Sequence, residues 1–567
     1  MSRVRLLALA LTIGYGALYL VELGVRPLAR MDEFRYVEIA REMLVSGDWV
    51  SPRLNGLRYF EKPVLGHWLG AASLAVFGEN SFAARLPSAM ATGLTALLVA
   101  VFLSRLTRDR ATGLLAAFIV LTCPAVFGVG TTDTLDPLLT LWLSLAVGSY
   151  FCAWREAGSR RRAIWLAVVG LACGLAFLTK GFLAFAVPVI VVAPFLTWQR
   201  QWPRLGRDLW IPLGVALLVA LPWALSIHRA EPDFWRYFFF EEHLRRFTAG
   251  DAQHSKPFWY LLAGLPVMAL PWTLLIPAGV DGLKRHTVDR SLLRYLVLWL
   301  LLPLAFFSAS RGKLLTYILP CFPPLAMLLA IGLRRCTDPG ARYLKNGLRG
   351  ILLLCGALLL GLSLNRFGCI GRPVFDATES WRWGSVALAL VVGAAACLLA
   401  LRRTAGAFRV LAPGLAIIPL LLVVPFAIPN ATRVDKMPAD FLETLAKRTP
   451  PETILVSDAA FVHPVAWVFK RSDLHMMTAG ELGYGLSYPE DRDRLLDAEA
   501  FRRLIEESAG RRPVLVALKD SRESLVLASM PDGARRLSHG ELVVWQIPLR
   551  SAARTATRPD DAGRKDQ

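Results

Sequence analysis

The 567-residue sequence lacks the markers of most soluble architectures. It has no internal repeat and no low-complexity tract, which excludes solenoids and fibrous chains. Its 8 cysteines include no C-x-x-C pair, so neither a zinc ribbon nor a thioredoxin-type motif is present. They lie mostly within or beside apolar runs and read as small packing residues. None follows Cys397, so a C-terminal region outside the cytoplasm would be held by its core and not by disulfides. Charge is scarce as well. Charged residues make up 19% of the chain against 55% hydrophobic ones, more apolar material than one soluble core needs.

What is there instead is a membrane pattern: mean hydropathy of +0.45, with 17 Trp and 43 Gly suited to helices packed in lipid. The net charge of +20 is scattered through short loops, as orientation signals are, and does not form a nucleic-acid-binding patch. About 20 apolar residues cross the hydrocarbon layer. The first run is Leu6 to Val25, long for a signal-peptide core and without a cleavage site after it. Further runs centre near 82–104, 111–129, 135–153, 163–180, 182–198, 209–227, 258–280, 291–309, 314–333, 350–364, 382–401 and 410–429, giving thirteen predicted spans. Arg and Lys then fall in alternate loops, from Arg3 and Arg5 through Arg160 to Arg162 and on to Arg402, Arg403 and Arg409. With those loops inside, the segments 26–81 and 228–257 and everything after Asn430 lie outside.

The outer C-terminal region changes character. TILVSDAA (453–460), PVLVAL (513–518) and ELVVWQI (541–547) are β-branched runs, and DRDRLLDAEAFRRLIEE has helical spacing. The chain thus divides into a helical membrane domain, 1–429, a small α/β domain, 430–550, and a polar tail, 551–567, that reads as disordered.

Chemistry-bearing residues concentrate in the outer loops. DEFRYVEIAREML places Tyr36, Ile39, Ala40 and Met43 on one side of a helix and Arg35, Glu38, Arg41 and Glu42 on or near the other, as a helix lying along the membrane surface would. VLGHWLGAASLAVFG (64–78) is too short to cross comfortably. Asp32 and Glu33 have two readings: acids at a helix N-terminus, or a carboxylate that directs an acceptor or supports positive charge on a sugar carbon. Lys62 is either a snorkelling anchor or, with Arg35, His243, Arg245, Arg246, Arg311 and Lys313, part of a cationic set for a lipid phosphate. Tyr36, Tyr59 and Tyr317 offer phenols. His243 and His254 with Glu61, Glu241 and Glu242 could hold a divalent ion, zinc or magnesium, although the spacing matches no closed metal motif. Asp133 is a candidate helix cap; Asp136, followed by Pro137, is harder to explain that way. Arg41, Arg53, Arg58, Arg245 and Lys256 extend a basic outer surface suited to an anionic lipid head group.

The blocks MDEFRYVEIAREMLVSGDW, LRYFEKP, TLDPLLTLW, EEHLRRF with AQHSKPFWY, and RGKLLTYILPCFPP resemble, in order and from first span to last, the bacterial aminoarabinose transferases of lipid A, within the wider family related to protein O-mannosyltransferases. The resemblance implies an all-α polytopic GT-C glycosyltransferase of the bacterial inner membrane with a small α/β periplasmic domain. It implies an undecaprenyl-phosphate-linked sugar as donor, lipid A as acceptor, a periplasmic active site and no nucleotide cofactor. Residue by residue, Asp32 matches the catalytic carboxylate, Asp136 the acid of the LDP block and Lys62 the lysine that grips the lipid phosphate. Tyr36, Tyr59, Arg246 and Tyr317 match positions lining the donor site. Glu61 and a histidine, His243 before His254, match positions associated with a metal. Departures are Leu315 where proline is expected, His67 where an aromatic is expected, and a loosely matching C-terminal region; they bear on the sugar and acceptor more than on the reaction. A transporter would instead carry ionisable residues near the midplane in broken helices. A protein O-glycosyltransferase would share the donor chemistry.

Overall fold

The computed structural model describes residues 3–245, 255–285, 288–336, 342–402 and 406–549; Arg246 and His254 lie outside that description, as do the side chains of residues 3 and 243–245. It divides into two compact units: Met1–Arg53 with Arg58–Arg433, and Leu54–Leu57 with Val434–Gln567.

The first unit is helical. Among the described residues, nine helices are long and apolar enough to cross a membrane, and two bent pairs, Arg110–Leu121 with Pro124–Gly130 and Tyr260–Met268 with Trp272–Arg285, bring the number to eleven if each is one span. Leu183–Trp198 and Ala407–Val423 occupy the two remaining predicted runs at 16 and 17 residues. They fall short of spanning length, so a total of thirteen is not established. Leu65–Phe77 is a 13-residue helix, in keeping with the short run read there.

Local chemistry explains the breaks. Asn80 accepts a hydrogen bond from the Ala83 amide and starts the Ser81–Thr107 helix, and Asp109 does the same for Arg110–Leu121 through Ala111. Pro124, at the first position of the next short helix, lacks the amide that would continue the first, and the pair bends by 66°. The Ser159–Lys180 and Pro203–Ala230 helices touch through glycines four residues apart. A Cβ on Gly170 would stand 2.5 Å from the Pro212 carbonyl oxygen and one on Gly174 2.7 Å from Val219 Cβ, so only glycine lets these backbones approach.

The Asp32–Ser46 helix corrects one expectation. Tyr36, Ile39, Ala40 and Met43 are buried, but so are Glu38, Arg41 and Glu42. The helix does not lie with a charged face in water. Arg41 donates to Glu38 at 2.8 and 2.6 Å, a bidentate pair that lets the polar side be enclosed.

In the second unit five strands, β3 (Ile454–Ser457), β4 (His475–Met476), β5 (Val514–Lys519), β6 (Arg535–His539) and β7 (Leu542–Ile547), form a mixed sheet of order β4-β3-β5-β7-β6. β3 runs parallel to β4 and β5, while β7 is antiparallel to β5 and β6. Three of these strands are the β-branched runs read from the sequence. β4 is two residues long and β6 is mostly charged or polar, so neither announced itself. Val456, Phe501, Val516, Leu518 and Val526 form its apolar core. The tip of a hairpin formed by β1 (Arg53–Leu54) and β2 (Leu57–Arg58) also belongs to this unit. Its turn residues Asn55 and Gly56 have φ of 55° and 70°, the left-handed pair a tight hairpin needs. Asn55 Nδ2 donates to the Leu474 carbonyl and its Oδ1 accepts from the Leu474 amide, both at 3.0 Å.

Candidate active site

The charged segment that follows the first span separates its two acids. Glu33 is enclosed: Arg85, on the Ser81–Thr107 helix, donates to it at 2.6 and 3.0 Å, Arg26 at 2.9 Å, and the Ala29 and Asp133 amides at 2.7 and 3.2 Å. Burial by itself would raise the Glu33 carboxyl; the two guanidiniums outweigh it and draw the group down to about 2. Glu33 therefore fastens the loop to the bundle. Asp32 is left with its side chain 49% exposed, paired with Arg35. Beside it opens a cavity of about 210 Å³ lined by Asp32, Glu33, Arg30, Thr132, Thr134 and Thr316.

One turn of helix places Arg35 and Tyr36 next to Asp32. The Arg35 guanidinium lies 4.9 Å from the Tyr36 ring centre, and burial pushes the Tyr36 phenol upward despite it. Asp136, at the start of the Asp136–Arg155 helix, accepts from Lys180 Nζ at 2.7 Å, and the same ammonium stands 5.2 Å from the Tyr317 ring centre. Asp133 does not cap that helix, whose N-cap is Leu135 and receives no side-chain bond. Burial and the neighbouring Glu33 raise its carboxyl well above the usual range.

A second cluster surrounds Lys62. Its ammonium donates to the Glu61 carbonyl at 3.0 Å, lies 3.8 Å from the Glu61 carboxylate and pairs with Glu242 from the Tyr237–Arg245 segment. Phe60 packs its ring 5.2 Å from that of Phe234, which holds the two loops together. Tyr59 is buried in the same turn. His67, buried in the first turn of the Leu65–Phe77 helix, lies 6.0 Å ring to ring from Tyr36 and feels the charge of both Arg35 and Lys62, so it links the clusters.

Of the residues singled out from the sequence, Asp32, Arg35, Tyr36, Asp136 and Tyr317 meet in one neighbourhood and Lys62 with Glu61 in the adjoining one. Arg246 lies outside the described residues, and so does the His243 side chain, although its backbone belongs to the Tyr237–Arg245 helix. Among the described residues no three His, Cys, Asp or Glu side chains gather as a metal site would need. The basic surface read from the sequence is also reduced: Arg41 is buried on Glu38, and Arg53 and Arg58 both pair with Glu231, at 3.2 and 2.7 Å. Sequence reasoning missed Lys180 and Arg85, and it gave Glu242 as a candidate metal ligand and not as the partner of Lys62. A lysine closing an apolar run was the signal for Lys180.

Comparison with known proteins agrees with this architecture. The sequence model described as dolichyl-phosphate-mannose-protein mannosyltransferase matches residues 4–238, and that described as the arabinosyl transferase ArnT C-terminal domain matches residues 433–546. The undecaprenyl phosphate-alpha-4-amino-4-deoxy-L-arabinose arabinosyl transferase of Erwinia tasmaniensis is 39% identical over 543 residues, covering 95% of this chain and 98% of that one. The enzyme of the same description from Pseudomonas aeruginosa is 40% identical over 553 residues, covering 97% and 99%. The crystal structure of ArnT from Cupriavidus metallidurans in the apo state aligns with a TM-score of 0.81 at 24% identity, over 96% of this chain and 97% of that one; at that identity the likeness is one of fold. Helical bundle and relatives together define a multi-pass membrane glycosyltransferase. Within that class, the chain belongs to the family of undecaprenyl phosphate-aminoarabinose arabinosyl transferases.

Proposed function

We propose that the protein transfers 4-amino-4-deoxy-L-arabinose from undecaprenyl phosphate to a phosphate of lipid A, at the periplasmic face of the bacterial inner membrane. The observation that carries this reading is the half-exposed Asp32 carboxylate at the rim of a cavity, with the Arg35, Lys180 and Lys62 cations in the two clusters beside it. The alternation of Arg and Lys among the loops supports the orientation.

The reaction follows from that arrangement. An acceptor phosphate oxygen attacks the anomeric carbon, the bond to the undecaprenyl phosphate oxygen breaks, and its electron pair leaves with the lipid phosphate. Attack opposite the leaving group inverts the configuration. Lys62 and Arg35 stabilise the negative charge that grows on the leaving phosphate, and a lipid phosphate entering the site would compete with Glu242 for Lys62. The acceptor is already anionic and needs no strong base. Asp32 therefore positions it or supports the oxocarbenium-like sugar, while Lys180 holds Asp136 in place. The transferred amino sugar brings positive charge to lipid A, which would weaken its attraction for polymyxin and other cationic antimicrobial peptides.

The proposal extends to a divalent ion, zinc or magnesium, at Glu61 and His243. Its support is that the Glu61 and Glu242 carboxylates converge on one cation position, taken here by the Lys62 ammonium. Transfer to a protein hydroxyl is the second reading, favoured by the mannosyltransferase match over residues 4–238; Asp32 would then remove a proton.

The test is purified protein given undecaprenyl-phosphate aminoarabinose and either lipid A or dephosphorylated lipid A, read by mass spectrometry. Modification of lipid A alone is expected. Equal modification of the two, or transfer to a serine or threonine peptide, would favour the second reading.

A further inference from the structure

His67 is 1% exposed, and neither ring nitrogen has a hydrogen-bond partner among the described residues. Buried polar atoms are ordinarily paired, so a doubly orphaned imidazole calls for a physical account. Its surroundings supply one. The ring packs beside Tyr36, and the charges acting on it are Arg35 and Lys62, both cations. Those cations are in turn paired with acids, Arg35 with Asp32 and Lys62 with Glu242 and, at 3.8 Å, Glu61. His67 is the third residue of the Leu65–Phe77 helix, and the N-cap of that helix, Val64, makes no side-chain hydrogen bond. An uncapped helix start, two cations and an imidazole thus share one neighbourhood, in which no group among the described residues hydrogen-bonds His67. Helix N-termini with such side chains are seats for anions.

We propose that His67 is a direct hydrogen-bonding contact for the phosphate of the polyprenyl donor, donating a ring N–H to a phosphate oxygen alongside Lys62, Arg35 and the first turn of its own helix. The proposal rests on the reading of Lys62 and Arg35 as the donor phosphate site. Between two cations and out of water the imidazole is kept neutral, drawn down to about 3 mainly by burial. A neutral ring still carries one N–H, which is what a phosphate oxygen requires. The arriving anion would satisfy that donor and relieve the repulsion that the cations exert on any proton added to the ring. His67 thereby acts on donor affinity and orientation and takes no part in bond breaking.

The experiment measures binding of undecaprenyl phosphate, with undecaprenol as the phosphate-free control, to wild type, His67→Gln, His67→Phe and Lys62→Ala in detergent, together with donor kinetics. His67→Phe is expected to bind undecaprenyl phosphate about tenfold more weakly, the loss a hydrogen bond to a charged group gives. Undecaprenol binding should be unchanged, and the donor KM should rise with kcat nearly constant. His67→Gln, which keeps an N–H, should stay within about threefold of wild type on the same ground. His67→Leu replaces the phenylalanine variant if that protein does not purify as a single species. Wild-type affinity in His67→Phe, or equal losses for undecaprenyl phosphate and undecaprenol in both His67 variants, overturns the proposal; the second result would reduce the residue to packing. Lys62→Ala separates the layers. Weakened binding there with unaffected His67→Phe rejects His67 alone, whereas wild-type binding in Lys62→Ala rejects the phosphate site on which it stands.

Discussion

Lys180 and Asp136 meet at 2.7 Å, joining the last residue of one apolar helix to the first residue of the helix before it, with both side chains 13% exposed. Each charge is thus out of water and depends on the other. Removing one partner leaves an uncompensated charge beside Tyr36 and Tyr317. Lys180→Ala and Asp136→Asn should each lower transfer by at least about tenfold, and the double variant should lose less than the sum of the two free-energy effects. Additive losses in a double-mutant cycle would mean that the pair does not act as a unit.

Asp32→Asn should abolish measurable transfer, a loss on the order of 10²-fold or more, while leaving expression and size-exclusion behaviour intact. The side chain is half exposed, so the bundle does not rely on it. Near-normal activity would return Asp32 to the role of an acid in a first helical turn.

Lys62 is held by Glu242 and by the Glu61 carbonyl, so its ammonium is positioned before any substrate arrives. Lys62→Ala should raise the donor concentration needed for half-maximal transfer far more than Lys62→Arg, since a cation remains in the latter although its fork differs from a point charge. Coincident saturation curves for the two variants would reject Lys62 as a phosphate ligand.

Glu33 sets the acid limit of the fold. Its folded carboxyl is drawn down to about 2 from an ordinary value of 4.5. Below 4.5 the unfolded chain binds the proton that the folded one refuses, so the Glu33 contribution is complete above pH 4.5 and disappears as pH falls toward 2. Glu33→Gln should cost about 3–5 kcal/mol at pH 7 by leaving Arg85 buried without its anion. The difference in melting temperature between wild type and variant in detergent should narrow as pH is lowered below 4.5. A constant difference would assign the cost to packing.

For the metal, elemental analysis of wild type, Glu61→Gln and His243→Ala is decisive. One divalent ion per chain in wild type and its loss in both variants is expected, because two protein ligands with water cannot hold it singly. Unchanged metal in the variants, or none in wild type, would remove the ion from the site.

The apolar runs show how far the chain alone determines the fold. Length and hydropathy are local quantities, so each predicted run coincides with helix, and the β-branched segments at 453–460, 513–518 and 541–547 each contain a strand. The family-like blocks likewise singled out Asp32, Tyr36, Asp136 and Tyr317, and the fold brings them into one neighbourhood. Three things were not local. Whether Leu183–Trp198 and Ala407–Val423 cross as full spans depends on packing and tilt, not on composition. The burial of Glu38, Arg41 and Glu42 reversed an amphipathic reading, because an ion pair within one helix face neutralises charges that periodicity counts as solvent-facing. Above all, the partners were hidden. Asp32 and Glu33 are adjacent acids with the same helical preference, and what makes one a fastener and leaves the other at a cavity is Arg85, 52 residues further on. Lys62 meets Glu242 across 180 residues. Such pairings are fixed by where the folded helices bring charges out of water together, and a Coulomb partner selected in three dimensions leaves no periodic trace in the chain.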